Sequence, residues 1–224
     1  MSRRILDVSM PLDGTTPLWP GDPPVELTRL ADIGAGDVAT VSSLSLGCHS
    51  GTHVDAPAHF LAGGADASNL SLDTLIGPAW VAELDAVGSS ATSPRTVGRT
   101  LLGRLPLPTE VTRLLLKTRG REPGRHRRST PSLGLSAAGA AWLVERGIRL
   151  FGIDSMSVAY GAHMVPAHRA LLRADVIVVE GLDLCEVEPG AYDLICLPLR
   201  LPGAEGAPAR AVLLCPAGRE SAAL

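Results

Sequence analysis

The sequence predicts a single α/β domain built around a central mixed β-sheet with few helices. Residues 136–146 carry apolar side chains at helical spacing and precede the short apolar strand 148–153, an order typical of α/β units. The last two predicted strands, 192–199 and 209–214, are joined by a loop containing proline and glycine, which indicates an antiparallel hairpin. The length of 224 residues suits one domain, taken as residues 1–224.

Local patterns predict the other elements. Residues 11–24 should form a stiff loop that carries Trp19, because proline recurs along this segment and prevents a helix. Ser136 and Gly147 fit the cap and the stop of the main helix. A short helix is expected at residues 167–173. The remaining strands are predicted, in chain order, at residues 5–10, 38–46, 79–84, 111–117 and 176–179.

The composition excludes several classes of protein. Hydrophobic residues make up 46% of the chain and charged residues 19%, which excludes a disordered chain. The net charge of -3 offers no electrostatic basis for binding nucleic acid. No apolar stretch reaches the ~20 residues that a membrane-spanning helix needs. The four cysteines show no Cys-x-x-Cys spacing, and no signal peptide is recognisable, so we expect a soluble, cytoplasmic protein with free thiols.

Half of the six histidines lie between residues 48 and 59. Within this stretch His49, His53 and Asp55 offer two imidazoles and one carboxylate, a combination that suits zinc, manganese or ferrous iron. A single histidine is more often a hydrogen-bonded structural residue than a ligand. Three histidines and an aspartate interleaved with glycine, threonine and proline favour a metal site.

The same stretch predicts a turn that runs into a short strand. Gly51 allows the chain to bend and Pro57 ends the strand, so a helix is not expected here. In the extended segment His53 and Asp55 point to the same side. His59 follows as a fourth polar group near the site.

A second polar pair lies at His168 and Glu180. Glu180 ends an apolar strand, where a carboxylate is costly unless it is paired or bound to a metal. From the residues alone, we expect His168 to be a surface helix residue and Glu180 to be part of an ion pair, with metal binding as the alternative. His163 competes with His168 for the same role.

Residues 49–59 read His-x-Gly-Thr-His-x-Asp-x-Pro-x-His, which resembles the signature of the metal-dependent cyclase-family hydrolases that include bacterial kynurenine formamidase. The segment around Trp19, the Gly-Ile-Asp run at 152–154 and the spacing of His168 and Glu180 are also similar. The resemblance implies a swivelling β/β/α fold. It assigns residues by position: metal ligands His49, His53, Asp55, His168 and Glu180, acid/base residue His59, and substrate-stacking residue Trp19.

The resemblance further implies hydrolysis of an aryl formamide, N-formyl-L-kynurenine, in tryptophan degradation. It implies two divalent cations per chain, Zn²⁺ or alternatively Mn²⁺, and a homodimer. Two alternatives stay open: hydrolysis of another amide or of a lactam such as isatin, and a metal-binding protein without catalytic activity. The arginine-rich segment 119–130 could grip an anionic group or be solvated surface.

Overall fold

The computed structural model describes residues 3–84, 96–118 and 133–216. The arginine-rich segment 119–130 lies outside the described residues. The strands are β1 (Ile5–Asp7), β2 (Glu26–Ala31), β3 (Val41–Ser45), β4 (His53–Asp55), β5 (Ile76–Glu83), β6 (Thr96–Val97), β7 (Arg113–Lys117), β8 (Gly134–Leu135), β9 (Leu150–Ile153), β10 (Ile177–Glu180), β11 (Gly190–Pro198) and β12 (Gly206–Leu214).

Eight strands form one mixed sheet in the order β1-β12-β11-β5-β7-β9-β10-β4. Strands β5, β7, β9 and β10 run parallel to their neighbours in this series, whereas the other pairings are antiparallel. The short strand β4 pairs with β10 on one side and with β12 on the other. This double pairing closes the sheet into a barrel, with β1 attached outside the ring.

Within the described residues, four α-helices accompany the sheet: α1 (Leu72–Leu75), α2 (Arg99–Leu102), α3 (Ala137–Glu145) and α4 (Met164–Arg173). Helix α3 begins where predicted, because the Ser136 hydroxyl accepts a hydrogen bond of 3.0 Å from the backbone N–H of Gly139. None of the helices in the described part of the chain is long and apolar enough to cross a membrane.

The core has two parts, separated by the sheet. Leu115 of β7 belongs to the cluster inside the barrel, whereas its neighbours Leu114 and Leu116 belong to the cluster beneath α3 and α4. Strand residues alternate between two faces, and both faces are buried here. Continuous apolar strands and outer helices together confirm the predicted α/β class with a central mixed sheet.

Strands β2 and β3 form a separate antiparallel ribbon. Only the second of these strands was expected from the sequence. All five residues of β3 are exposed, and so are all residues of β2 except Ala31. The ribbon connects the loop that carries Trp19 to the segment that carries His49.

Candidate metal centre and substrate pocket

Strand β4 carries the predicted ligands His53 and Asp55 at its two ends. Their side chains share one face of the strand, and Val54 between them points into the barrel core. Strand β10 lies antiparallel to β4 with Glu180 directly opposite His53. The register therefore brings two carboxylates and one imidazole to one buried spot, with Asp55 completely inaccessible to solvent.

Each of the two carboxylates faces more than one histidine. Asp55 Oδ1 lies 3.0 Å from His49 Nδ1 and 3.6 Å from His53 Nε2, while its Oδ2 lies 3.6 Å from His168 Nε2. Glu180 Oε2 lies 3.4 Å from His53 Nε2, and its Oε1 lies 3.2 Å from His168 Nε2. Both carboxylates are thus placed to bridge two positions, one beside His53 and the other beside His168.

Two backbone carbonyls orient the buried imidazoles. The Nδ1–H of His53 donates to the carbonyl of Gly51 at 2.9 Å, and the Nδ1–H of His168 donates to that of Met164 at 2.7 Å. A carbonyl can only accept, so each Nδ1 carries a proton. In the neutral imidazole this leaves Nε2 with a lone pair aimed at the carboxylates, the arrangement typical of histidines that bind metal.

Several polar atoms of this cluster make no well-aligned hydrogen bond within the described part of the chain, although its imidazole nitrogens and carboxylate oxygens face each other at 3.0 to 3.6 Å. They are both carboxylate oxygens of Asp55, Nε2 of His53 and Nε2 of His49, and all are buried. Buried polar atoms without partners are costly, and a bound cation would satisfy them. Ligand atoms of His53, Asp55 and Glu180 lie within 4.8 Å of one another, and so do those of His49, Asp55 and His59. The donor set therefore fits divalent metal.

His59 ends a short 3₁₀ helix, Pro57–His59, that follows β4 immediately. Its ring centroid lies 4.1 Å from that of His49. The resemblance places His59 outside the ligand set, but the geometry brings it to ligand distance of His49 and Asp55. Burial lowers the pKa of His59, so its imidazole is neutral near neutral pH and able to accept a proton.

The metal-free cluster holds protons tightly on two histidines. Burial alone would lower the pKa of His53, but the hydrogen bond to Glu180 and the charges of Asp55 and Glu180 outweigh it and raise this pKa to about 9. Burial would also lower the pKa of His168, but its hydrogen bond with Glu180 and the charges of Glu180 and Asp55 outweigh burial and raise this pKa. Burial would raise the pKa of Glu180, but its hydrogen bonds with His168 and His53 lower it. Metal binding must therefore displace protons.

A cavity of about 210 Å³ opens next to this cluster. Trp19 lines it from a tight turn in which the Asp22 N–H donates to the Trp19 carbonyl at 3.0 Å, and Gly21 adopts a positive φ of 101°. The Trp19 ring is 36% exposed and stacks on Tyr160, with 6.0 Å between the ring centroids. The predicted site residues at this cavity are Trp19, His49, His53, His59, His168 and Glu180.

Asp55 lies behind this cavity and lines a second one of about 270 Å³, on the side of Arg149 and Asp175. It separates the two cavities. His163, the alternative to His168, does not line the first cavity and instead precedes the first residue of α4. His168 turns inward because it lies on the buried stripe of that helix with Ala167, Leu171 and Leu172.

Sequence reasoning missed much of the cavity wall. Met10, Met156 and Met164, every methionine apart from Met1, line it. Phe60 also lines it and stacks on His168 with 4.2 Å between ring centroids. Phe60 could have been found because it follows His59 directly. The methionines carry no pattern that marks them as pocket residues.

The charge of the cavity wall is uneven. Asp22 is the acidic residue of the wall outside the cluster of predicted ligands, and no lysine or arginine lines the cavity among the described residues. An anionic part of a substrate would therefore find no positive side chain in this part of the wall.

Comparisons with known proteins agree with this geometry. The Cyclase family model matches residues 6–160. The chain is 37% identical over 225 residues to Cyclase-like protein 2 of Oryza sativa subsp. japonica, covering 95% of this chain and 79% of the relative.

Two solved structures are similar in fold. One, a potential metal-dependent hydrolase with cyclase activity, has a TM-score of 0.79 at 27% identity, covering 95% of this chain and 98% of that one. The other, isatin hydrolase A from Labrenzia aggregata bound to benzyl benzoate, has a TM-score of 0.76 at 22% identity, covering 94% and 93%. The family match, the relative and the histidine-rich signature on β4 together show that this chain belongs to the Cyclase family.

Proposed function

We propose that the protein is a metal-dependent hydrolase that cleaves an aryl formamide, converting N-formyl-L-kynurenine and water to L-kynurenine and formate. The observation that carries the proposal is Asp55, whose two buried oxygens lie between histidines on either side and make no well-aligned hydrogen bond among the described residues. A shared carboxylate of this kind is suited to two cations. The similar structure of a potential metal-dependent hydrolase supports the same reaction class.

The ligands fall into two groups that share the carboxylates. His49, His53 and Asp55 would hold one cation, and His168 with Glu180 and Asp55 would hold the other, with two Zn²⁺ per chain or alternatively Mn²⁺. When bound, such cations supply Lewis acidity, which polarises a substrate carbonyl and lowers the pKa of water towards neutrality.

His59 is the proposed proton carrier. Its neutral imidazole can accept a proton from the attacking water and later deliver it to the nitrogen of the departing amine. The side chain lies beside His49, at the boundary between the ligand cluster and the cavity. Proton transfer of this kind typically contributes about 10² to 10⁴ in rate.

Trp19 is the proposed substrate contact. Its ring is backed by Tyr160, whose hydroxyl accepts a hydrogen bond from the Ser157 N–H at 3.0 Å. An indole held in this way offers a flat apolar surface to an aromatic ring at low conformational cost. The carbonyl of a stacked aryl formamide would then face the ligand cluster.

A second candidate substrate is an isatin-type lactam. N-formylkynurenine carries a carboxylate, for which the described part of the cavity wall offers no lysine or arginine. Isatin is uncharged and needs no such partner. The similarity of fold to isatin hydrolase A supports this alternative, in which water opens the lactam ring by the same attack on a carbonyl.

The deciding experiment compares both substrates on one sample of metal-replete protein, with the metal content counted. Turnover of N-formylkynurenine that a chelator abolishes would support the proposal, and turnover of isatin alone would replace it with the lactam reaction. Metal without turnover of either substrate would leave the non-catalytic alternative. An Asp55→Asn variant controls for contaminating hydrolases, since it should lose both metal and activity.

One domain over residues 1–224, a place in tryptophan degradation and a cytoplasmic location are proposed. The location is supported by the cysteines, because all four are free thiols.

A further inference from the structure

The carboxylate of Glu180 is held by donors that lie outside the ligand cluster. Its Oε1 accepts a hydrogen bond of 2.7 Å from the Val158 N–H and one of 3.2 Å from the Ser157 hydroxyl. Its Oε2 faces Nε2 of His53 at 3.4 Å. Both donors belong to the segment 155–160, which begins two residues after β9. This segment therefore sets how the carboxylate is turned towards the histidines.

The segment 155–160 is closed on itself by the hydroxyl of Tyr160. This hydroxyl accepts a hydrogen bond of 3.0 Å from the Ser157 N–H and lies 2.8 Å from the Ser155 hydroxyl. A tyrosine hydroxyl has one proton, so it can donate to Ser155 Oγ while it accepts from Ser157. Ser155 and Ser157 are 1% and 5% exposed. The Ser157 hydroxyl is thus held in one position, away from water.

The same segment is attached to the ends of β10 and β8. The N–H of Gly181, directly after β10, donates to the Ser155 carbonyl at 2.8 Å. A Cβ atom at Gly134 of β8 would lie only 2.9 Å from Cδ2 of Tyr160, so the ring packs against backbone where a larger residue would collide with it. The donors of the segment are therefore fixed relative to the strand that carries Glu180.

We propose that Ser157 is a positioning residue for the metal ligand Glu180, and that the Tyr160 hydroxyl holds Ser157 in place for this task. Hydrogen-bond partners around a ligating carboxylate orient it, and their removal typically costs about 10- to 100-fold in metal affinity. The inference rests on the proposed metal centre, but it does not depend on which amide or lactam is hydrolysed.

The ring and the hydroxyl of Tyr160 have different tasks. The ring stacks on Trp19, the proposed substrate contact, whereas the hydroxyl bonds the segment that holds Glu180. Tyr160→Phe keeps the ring and removes only the hydroxyl. This variant should therefore leave the support of Trp19 in place and loosen the hold on Glu180, which separates the two tasks by experiment.

The test measures the affinity of the metal-free protein for Zn²⁺ by competition with a chromophoric chelator. Ser157→Ala should weaken Zn²⁺ binding by about 10- to 100-fold. Tyr160→Phe should weaken it less, because the Ser157 hydroxyl remains. Tyr192→Phe is the matched control and should bind Zn²⁺ like the wild type. It also removes a tyrosine hydroxyl, which donates to the Glu188 carbonyl at 2.8 Å, and Tyr192 does not line the cavity.

The absorption spectrum of Co²⁺-loaded protein is the second readout, because it reports the geometry of the ligands and not the stability of the fold. It should shift in Ser157→Ala and Tyr160→Phe but not in Tyr192→Phe. Thermal unfolding shows that each variant is folded; if Ser157→Ala does not fold, Tyr160→Phe decides alone.

Wild-type Zn²⁺ affinity and an unchanged Co²⁺ spectrum in the folded variants would overturn this inference and leave the proposed function standing. A wild-type protein that binds no Zn²⁺ would overturn the proposed function together with it.

Discussion

The two walls of the substrate cavity are built in different ways. One wall consists of the strand residues His53 on β4 and Glu180 on β10, with Asp55 directly behind them, and all three are almost completely buried. The other wall comes from loops, in which Trp19 is 36% exposed and held by a tight turn. Strand register fixes the positions of the residues in the first wall, so their geometry is set by the fold. The loop wall can vary independently, which allows one fold to act on different substrates.

The largest effect should follow from Asp55→Asn on the strand wall. The amide removes the charge that both cation positions share, so the loss of metal affinity should exceed the roughly 100-fold effect of disturbing groups around a ligand. Metal analysis should find the variant nearly empty, with hydrolysis abolished. Asp22→Asn, an equivalent change at the loop wall, should keep its metal. Full metal content in the Asp55→Asn variant would contradict the prediction that the strand residues, and not the loop residues, hold the metal.

His59→Ala should have the next largest effect because His59 lies where the two walls meet. Loss of the proton carrier is expected to lower kcat by about 10² to 10⁴ while the metal content stays that of the wild type. Metal analysis and steady-state kinetics on the same preparation measure both quantities. If metal is lost together with activity, His59 is a ligand, as its distance to His49 and Asp55 also allows.

The pH dependence of the stability of the metal-free protein should report on the buried histidines of the ligand cluster. His53 has a folded pKa of about 9 against an ordinary value of 6.5, so its contribution to stability is complete below pH 6.5 and is lost as the pH rises through 9. The loss amounts to roughly 3 kcal/mol. The raised pKa of His168 likewise makes the free energy of unfolding fall as the pH rises. The lowered pKa of His59 has the opposite effect and reduces the free energy of unfolding as the pH falls below 6.5.

Urea unfolding of chelator-treated protein between pH 6.5 and 9.5 measures how the free energy of unfolding changes with pH. Stability that falls with rising pH would agree with the charged His53, and a flat profile would contradict it. Metal affinity should change in the opposite sense and increase with pH, because the cations displace the same protons.

The smallest effect is expected at Trp19 on the loop wall. Trp19→Ala should raise KM for an aryl substrate by about tenfold, with metal content and kcat nearly unchanged, because a stacking surface is lost and the ligands are not. Trp19→Phe keeps an aromatic ring and should restore most of the affinity. A large fall in kcat would show that the loop wall also takes part in the chemistry.

The sequence predicted the strand wall better than the loop wall. His49, His53 and Asp55 lie within seven residues of one another, in one turn and the strand that follows it. This part of the site could therefore be predicted from the local sequence pattern. His168 and Glu180 lie more than a hundred positions further on. Only the resemblance linked them to the first group, because strand pairing over that separation leaves no local signal.

The ribbon and the methionines could not be predicted for a different reason. The two apolar residues of β3, Val41 and Leu44, are separated by two serines and lie on opposite faces, and all five residues of the strand are exposed. Met10, Met156 and Met164 meet only through loops whose paths depend on the whole fold. No spacing of residues in the sequence marks an exposed strand or shows which loops meet at a cavity.

Strand β4 has a consequence for the lifetime of the protein. The three residues of β4 close the barrel, and two of them are expected ligands. A protein without metal therefore keeps a buried carboxylate without a well-aligned hydrogen bond at the seam of its main sheet. Ligands that bind only the native state raise its stability in proportion to their supply. Metal starvation should therefore reduce not only the activity of each molecule but also the number of molecules that escape proteolysis.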